Sequence, residues 1–397
     1  MPNRNTILRC GYLLPRVLLL WALLDIMLRF APPQWYTFRV HEFAMVTGRH
    51  DLGPFRTNLT YQNSHTYGDL ASLGNCTACR QYRAMTVHVD SRGFVNTVAS
   101  GPYDALLVGD SFGIGAEQPE NATLASQISS RTGLSIYNAC SPVRAISREN
   151  LMVLIDQLGM THGTVFFELM DWSLGFFSTT QRDPGFNGYD RWSRNLEYSP
   201  LANVSRELVG RLYDGQVMPN PYSVNVVRKA LPDGKPILFQ LSDVQNGAAD
   251  GPKLWTKYFR VLNRELRARN FRLILIFVPS KYSVYQPLLQ NAAPTNKSAQ
   301  FEELRKELPD VSIVNTTPAL QAAAADALPS GSLVYWPDDT HWNATGVAVA
   351  ADQVAYLYAT GLDHATTPKM QAVSDEQLSS HHGLHHRMQS CKSNFVH

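Results

Sequence analysis

The sequence lacks the features that mark nucleic-acid-binding proteins. It has no run of lysine or arginine, and 35 basic residues against 33 acidic ones leave a formal net charge of +2. No internal repeat is visible. With 44% hydrophobic and 17% charged residues among 397, the composition is that of a globular protein with a substantial core. These observations predict a globular protein without a nucleic-acid partner.

Cysteine is scarce. Of the five cysteines, only Cys76 and Cys79, in NCTAC, are closely spaced. A structural zinc site usually combines such a pair with a second pair or with histidines at a fixed spacing. Neither accompanies this one. We therefore expect no metal and no other cofactor, and a local disulfide is the open alternative for the pair.

The N-terminus departs from the average composition. Three arginines precede an apolar segment over residues 17–30, and two prolines close it. The apolar character extends over about 20 residues, close to a bilayer span. This order is typical of a signal anchor, with the basic end cytoplasmic and the rest exported. We expect residues 1–36 to form a membrane helix. The alternative is a buried amphipathic helix, because Asp25 and Arg29 are costly in lipid.

From residue 104 onwards, apolar runs alternate with amphipathic stretches. Runs such as ALLV and LILIFV are apolar on both faces, as strands of a parallel sheet covered by helices are. The alternation predicts an α/β fold, a three-layer α/β/α sandwich with a mainly parallel sheet. The expected divisions are residues 1–36 as anchor, 37–100 as a polar region with one strand, 101–365 as the main domain with an insertion at about 175–250, and 366–397 as a disordered His-rich tail.

The first apolar run, in DALLVGDSFGIG, ends in a serine flanked by small residues. Glycine, aspartate and serine are common turn formers, so turn chemistry is one explanation of the motif. The other is that the strand end presents Ser111 as a nucleophile, while the glycines let a substrate approach the backbone. For Asp110 we expect a structural hydrogen-bonding role.

A second motif, VYWPDDTHWNATG, lies just before the last predicted helix and contains Asp338, Asp339 and His341. A serine nucleophile needs a base within hydrogen-bond reach and an acid that orients the base. This short loop supplies both. A helix start is the alternative explanation, since aspartates near a helix N-terminus are favourable. Together with Ser111 at a strand end, the motif favours catalysis.

GDSFG, followed late in the chain by Asp-x-x-His and HWNATG, resembles the SGNH, or GDSL-type, hydrolase superfamily. Its three-layer members include esterases, lipases and carbohydrate O-acetyltransferases. VFFELMDWSL, FVPSKYSVY and DTHWN are similar to its alginate O-acetyltransferase-like branch, and the resemblance covers about residues 85–360. It implies a triad of Ser111, His341 and an aspartate. The wider superfamily implies Asp338 and the branch implies Asp339. We slightly favour Asp338, because the His-x-Asn-x-x-Gly that follows is the wider pattern.

The oxyanion donors of common SGNH esterases are missing. Those enzymes place a Gly after the second strand and an Asn after the third, whereas this chain has NACSPVRA and ELMDWS there. The oxyanion would then be held by the backbone N–H groups of Ser111 and of a residue near Val143.

Four further residues are candidates for substrate contacts. Lys281 and Tyr285, in PSKYSVY, would reach an acidic sugar, and a solvated loop is the alternative. Trp172 and Trp342 lie near predicted strand ends and would stack on a sugar ring, with core packing as the alternative.

The resemblance and the N-terminus together imply a periplasmic or otherwise extracytoplasmic enzyme, anchored to the inner membrane. It would be an O-acetyltransferase or acetylesterase for a cell-envelope or secreted polysaccharide. A separate membrane acyltransferase partner would supply the acetyl groups. Two alternatives stay open: a general SGNH esterase or lipase for small acyl esters, and a non-catalytic polysaccharide-binding assembly factor, which the missing Gly and Asn favour.

Overall fold

The computed structural model of the chain describes residues 4–39, 42, 52–55, 57–74, 76–96, 101–141, 145–171, 199–214, 225–245, 252–290, 292 and 299–360. Residues 1–362 form one compact unit. The predicted His-rich tail at 366–397 lies outside the described residues. The boundaries expected near residues 36, 100 and 365 stay predictions.

The described strands are β1 (Leu59–Thr66), β2 (Arg83–Val89), β3 (Ala105–Val108), β4 (Ile136–Asn138), β5 (Gly163–Met170), β6 (Val226–Ala230), β7 (Pro236–Gln240), β8 (Phe271–Val278) and β9 (Ser312–Asn315). Five of them form a sheet in the order β4-β3-β5-β8-β9, in which all neighbours are parallel. The pairs β1–β2 and β6–β7 are antiparallel hairpins. The prediction of an α/β fold with a mainly parallel sheet is confirmed.

The described α-helices are α1 (Arg4–Leu28), α2 (Asp69–Leu73), α3 (Ser111–Ile114), α4 (Leu124–Thr132), α5 (Arg148–Gln157), α6 (Pro200–Asp214), α7 (Leu241–Gln245), α8 (Pro252–Ala268), α9 (Lys281–Tyr285), α10 (Ala299–Glu307), α11 (Thr317–Ala327) and α12 (Ala344–Thr360). Local chemistry sets several ends. The side chains of Thr123 and Ser147 cap α4 and α5. Gly133, at φ 75°, ends α4 in the left-handed conformation that glycine adopts readily.

The central strands face two cores, because successive side chains of a strand point to opposite faces. Leu107 and Phe166 lie in a buried cluster with side chains of α4, α11 and α12. Leu106 and Phe167 lie in a second buried cluster with side chains of α5, α8 and α10. Helices therefore cover both faces of the sheet, which gives the three layers.

The N-terminal apolar segment forms the helix α1. Its acidic residue, Asp25, is buried, pairs with Arg29 at 3.0 Å and accepts the N–H of Leu201, in α6, at 3.0 Å. Within the described residues, no helix combines the length and the apolar character that crossing a membrane requires. The helix itself is therefore present, but the prediction that it is a membrane helix is not supported.

Candidate active site

Ser111 stands where β3 turns into the short helix α3. Asp110 is the N-cap of that helix, and its carboxylate accepts the N–H of Phe112 at 3.0 Å. Ser111 is therefore the first residue of α3, at the carboxyl end of a strand of the parallel sheet, where such sheets bind ligands. Asp110 has the structural hydrogen bond expected for it.

The glycines around the serine make room for buried side chains beneath it. A Cβ at Gly109 would overlap Oε2 of Glu168, and one at Gly113 would overlap Sγ of Cys140. The N–H of Asp110 donates to the same Glu168 oxygen at 2.8 Å. Burial, and after it the Asp110 carboxylate, raises the pKa of Glu168 well above its usual range. A side chain at either position would displace a buried side chain, so the two glycines are explained by packing.

His341 comes from the loop before α12 and reaches the serine at the end of the sheet. Its Nε2 is 2.7 Å from Oγ of Ser111, and its Nδ1 is 2.5 Å from Oδ1 of Asp339. The same carboxylate oxygen accepts the backbone N–H of His341 at 2.8 Å. The ring of Phe112 packs against the imidazole, with centroids 4.6 Å apart. A hydroxyl, an imidazole and a carboxylate thus form one hydrogen-bonded chain.

His341 and Asp339 are both buried, and each stabilises the charged form of the other. Burial works to lower the pKa of His341, but the Asp339 carboxylate outweighs it, and the pKa is raised to about 9. Burial works to raise the pKa of Asp339, yet His341 and the Arg83 guanidinium hold that pKa well below its usual range. Asp339 is therefore ionised at neutral pH, as the acid that orients a catalytic histidine must be.

Asp338, slightly favoured from the sequence as the partner of the histidine, is bonded elsewhere. Its Oδ2 accepts the N–H groups of Gly68 and Gln81, both at 2.9 Å, and its Oδ1 accepts Nη1 of Arg83 at 3.0 Å. All three donors precede or begin β2. That preference is corrected by the geometry: the N-terminal region engages Asp338, and the carboxylate bonded to His341 is that of Asp339.

Lys281 lies in the wall of the site, but its amino group already bonds backbone carbonyls of the protein. Its Nζ donates to the backbone carbonyls of Trp336, Pro337 and Asp339 at 2.7, 3.0 and 3.1 Å. These three contacts fix the loop that carries Asp339. The prediction that Lys281 contacts an acidic sugar has no support here, and neither has the solvated-loop alternative, because the side chain is buried.

Tyr285 and Trp342 both belong to the core. Each is fully buried, and the Tyr285 hydroxyl accepts the N–H of Val334 at 2.9 Å. For Trp342 the core-packing alternative is therefore the one observed, and Tyr285 is a packing residue as well. Val143 and Trp172 lie outside the described residues.

A cavity of about 180 Å³ lies beside the serine. Its walls come from α2, α3, α7, the start of α9, the ends of β5 and β7, and the loop before α12. The lining residues are Asp69, Ser111, Phe112, Met170, Gln240, Asp243, Ser280, Lys281, Thr340 and His341. Pockets for drug-sized ligands measure about 300–1,000 Å³, so this cavity suits a small group such as a short acyl chain.

Asp69, Asp339 and His341 also bring potential metal-ligand atoms within 4.8 Å of one another. Their hydrogen bonds account for this grouping. Asp69 accepts the N–H and the hydroxyl of Thr340 at 2.7 and 2.5 Å, and the other two residues bond each other. A cation here would have to displace those bonds.

Sequence reasoning missed the residues that hold Asp339 in place. The N–H of Asp69 donates to Oδ2 of Asp339 at 2.9 Å, and Arg83 lies 3.5 Å from the same oxygen. One signal for Arg83 was present. In a strand, residues two apart share a face, so Arg83 lies on the same face as Met85 and Val87, which are buried. A charged residue on a buried face needs a partner.

Residues 238–393 match the family described as "SGNH hydrolase-like domain, acetyltransferase AlgX". The match covers less than half of the chain and includes Asp339 and His341 but not Ser111. It confirms the predicted resemblance to SGNH hydrolases of the alginate O-acetyltransferase-like branch. The match also supports the prediction of an SGNH-type acetyltransferase or esterase, and the activity itself is proposed below.

No curated protein matches the chain. Among solved structures, the chain is similar to the YxiM protein of Bacillus subtilis, with 10% identity, a TM-score of 0.34 and coverage of 71% of this chain and 63%, less than two thirds, of the other. The chain is also similar to a carbohydrate acetylesterase family member from Sinorhizobium meliloti, with 9% identity and a TM-score of 0.29. That match covers 64% of this chain and 97% of the other. For the acetyl xylan esterase Est2A from the rumen bacterium Butyrivibrio proteoclasticus the identity is 11% and the TM-score is 0.29. That match covers 70% of this chain and 68% of the other.

Proposed function

We propose that this chain is an exported serine enzyme that transfers or removes acetyl groups on a cell-envelope or secreted polysaccharide. The observation that carries the proposal is the hydrogen-bonded chain from Ser111 through His341 to Asp339, with contacts of 2.7 and 2.5 Å. The small cavity beside it supports a short acyl group. The match to an acetyltransferase domain supports acetyl as that group.

The geometry supports a two-step mechanism. With its Nδ1–H donating to Asp339, His341 accepts the Ser111 hydroxyl proton at Nε2 while Oγ bonds to the carbonyl carbon of the acetyl donor. The donor's ester bond then breaks, and His341 returns the proton to the leaving alcohol. In the second step a sugar hydroxyl, or water, loses its proton to His341 and attacks the acetyl-serine. Ser111 leaves with that proton, and the product is an acetylated sugar or acetate.

The negative charge that develops on the carbonyl oxygen needs hydrogen-bond donors. Ser111 is the first residue of α3, where a backbone N–H has no acceptor within the helix. We assign this N–H to the oxyanion. A second donor near Val143 stays a prediction.

Export is supported by the disulfide between Cys76 and Cys79, since such bonds persist in oxidising compartments. Anchoring to the inner membrane is part of the proposal. In α1 Asp25 contacts α6, while Leu19 and Met27 are 62% and 68% exposed, an apolar surface that a bilayer would cover. An exported enzyme has no access to cytoplasmic acetyl donors, so a membrane acyltransferase is the proposed source.

The test is turnover of p-nitrophenyl acetate by the full chain, with and without a neutral oligosaccharide acceptor. We expect p-nitrophenol release in both cases, acetylated oligosaccharide when the acceptor is present, and a loss of at least about 10³-fold in Ser111→Ala. Acetate as the sole product with every acceptor would favour the esterase alternative. Release no faster than that of Ser111→Ala, with oligosaccharide binding retained, would favour the assembly factor and refute the proposal.

A further inference from the structure

Three buried carboxylates converge on Arg83. Its Nη1 is 3.0 Å from Asp338, its Nη2 is 3.5 Å from Asp339, and its Nε is 3.4 Å from Glu117. The guanidinium lies over the Trp336 ring, 4.4 Å from the centroid. The Arg83 side chain is 9% exposed, and those of the carboxylates are 4% exposed or less. Solvent therefore does little to stabilise the charges of Asp338 and Asp339, and the guanidinium of Arg83 is a positive group that lies next to both.

The two carboxylate oxygens of Asp339 have different partners. Oδ1 bonds His341, and Oδ2 accepts the N–H of Asp69 and lies beside Arg83. Turning the carboxylate away from the imidazole would break both contacts at Oδ2. Asp338, the preceding residue, bonds the same guanidinium. The planar fork of one arginine thus holds two successive residues of the loop, which fixes the direction of the second carboxylate.

We infer that Arg83 is a positioning residue for the acid–base pair, although it lies in the N-terminal region, 258 residues before His341. It is not among the residues that line the cavity, so it acts on the reaction through Asp339. The inference rests on the proposed function, in which His341 is the base.

The test compares Arg83→Gln and Arg83→Lys with the parent chain. We expect kcat for p-nitrophenyl acetate to fall by about 10²-fold in Arg83→Gln, the scale of a displaced catalytic group, with KM little changed. Arg83→Lys keeps the charge without the fork, so an intermediate kcat is expected. The low-field proton resonance of His341 Nδ1–H reports the bond to Asp339 directly and should weaken in the same order. In Arg83→Gly, added guanidinium ion should restore part of kcat and part of the resonance.

Arg80→Gln is the matched control. Arg80 is on the same segment and bonds Glu207 at 2.6 and 3.0 Å. This variant should lower the melting temperature and leave kcat and the resonance unchanged. An Arg83→Gln variant with a lower melting temperature but an unchanged kcat and an unchanged His341 resonance would overturn the inference. If Arg83→Gln does not fold, kcat and the resonance of Arg83→Lys decide instead. A parent chain no faster than Ser111→Ala would refute the proposed function instead, while the resonance still tests Arg83.

Discussion

Asp338 and Asp339 are neighbours in sequence, and both are buried, yet their carboxylates serve different partners. Asp338 ties the loop to the N-terminal region, and Asp339 orients the imidazole. Which of them turns towards His341 is decided by groups such as Gly68, 270 residues from Asp338. No local pattern contains that information. The two motifs therefore indicated the serine, the histidine and a pair of acids, but not which of the two acids bonds the histidine.

Substituting the two aspartates separately tests this division. Asp339→Asn should lower kcat by about 10⁴-fold with little effect on KM, because the imidazole loses its orienting charge. Asp338→Asn should retain far more activity and lower the free energy of unfolding by about 2 kcal/mol, as bonds to Arg83 and two N–H groups weaken. Steady-state kinetics and denaturant unfolding measure both. The reverse ranking of the two kcat values would show that Asp338 is the catalytic acid.

The pH dependence of kcat/KM follows from the raised pKa of His341. The base must be neutral, and its pKa is raised to about 9, so kcat/KM should rise with pH from 7 and level off above 9. Asp339→Asn removes the group that raises the pKa of His341 most, so the rise of kcat/KM should move to lower pH. Glu117 is a control, because burial raises its pKa to about 8, in the same range. In Glu117→Gln the rise of kcat/KM should occur at nearly the same pH as in the parent chain. If the rise disappeared in this variant, its assignment to His341 would be contradicted.

At the scale of elements, runs with a strong period or continuous apolar character were predictable. The five sheet strands and the helices α4, α5, α8, α10 and α12 follow such runs. The strand β1 was not predicted, because LTYQNSHT is polar and buries little besides Tyr61 and Thr66. Its partner β2 supplies the apolar side. The helix α11, in TPALQAAAADA, is rich in alanine and has no marked apolar stripe to reveal it.

The contact between α2 and the loop of the two aspartates is the element-scale feature that the site depends on. A Cβ at Gly68 would overlap the backbone oxygen of Asp338. Gly68→Ala should therefore displace the loop and lower kcat by about 10²-fold, together with the melting temperature. Gly74→Ala, at the other end of α2, is the control. Its Cβ would come no closer than 3.1 Å to another atom, and its φ of −81° suits alanine. Equal activity in both variants would count against the contact.

At the scale of the whole molecule, the hairpin β1–β2 belongs to the core of the compact unit. Phe55, Tyr61, Met85, Val87 and Val89 are buried in the cluster that also contains residues of the central sheet. The same region supplies the groups that hold Asp338 and Asp339. The sequence showed it as a polar stretch with one strand, since its apolar residues are few and its contacts are long-range.

Two truncations test whether that region is separable. Burying five such side chains contributes about 10 kcal/mol, as much as the whole stability of many domains. A chain that lacks residues 1–100 should therefore fail to fold cooperatively, whereas one that lacks residues 1–30 should unfold cooperatively and keep its turnover. Circular dichroism melts and p-nitrophenyl acetate turnover check both. A folded, active chain without residues 1–100 would contradict the account of the N-terminal region.

The central claim is that Ser111 carries the acetyl group between donor and acceptor. The most direct measurement is mass spectrometry of the full chain, acid-quenched during turnover of p-nitrophenyl acetate and digested, with Ser111→Ala as the control. The account predicts one added acetyl group on the peptide that contains Ser111, lost when an acceptor is added before the quench. Turnover in the parent chain with no acetyl on that peptide, or with the same label in Ser111→Ala, would contradict it.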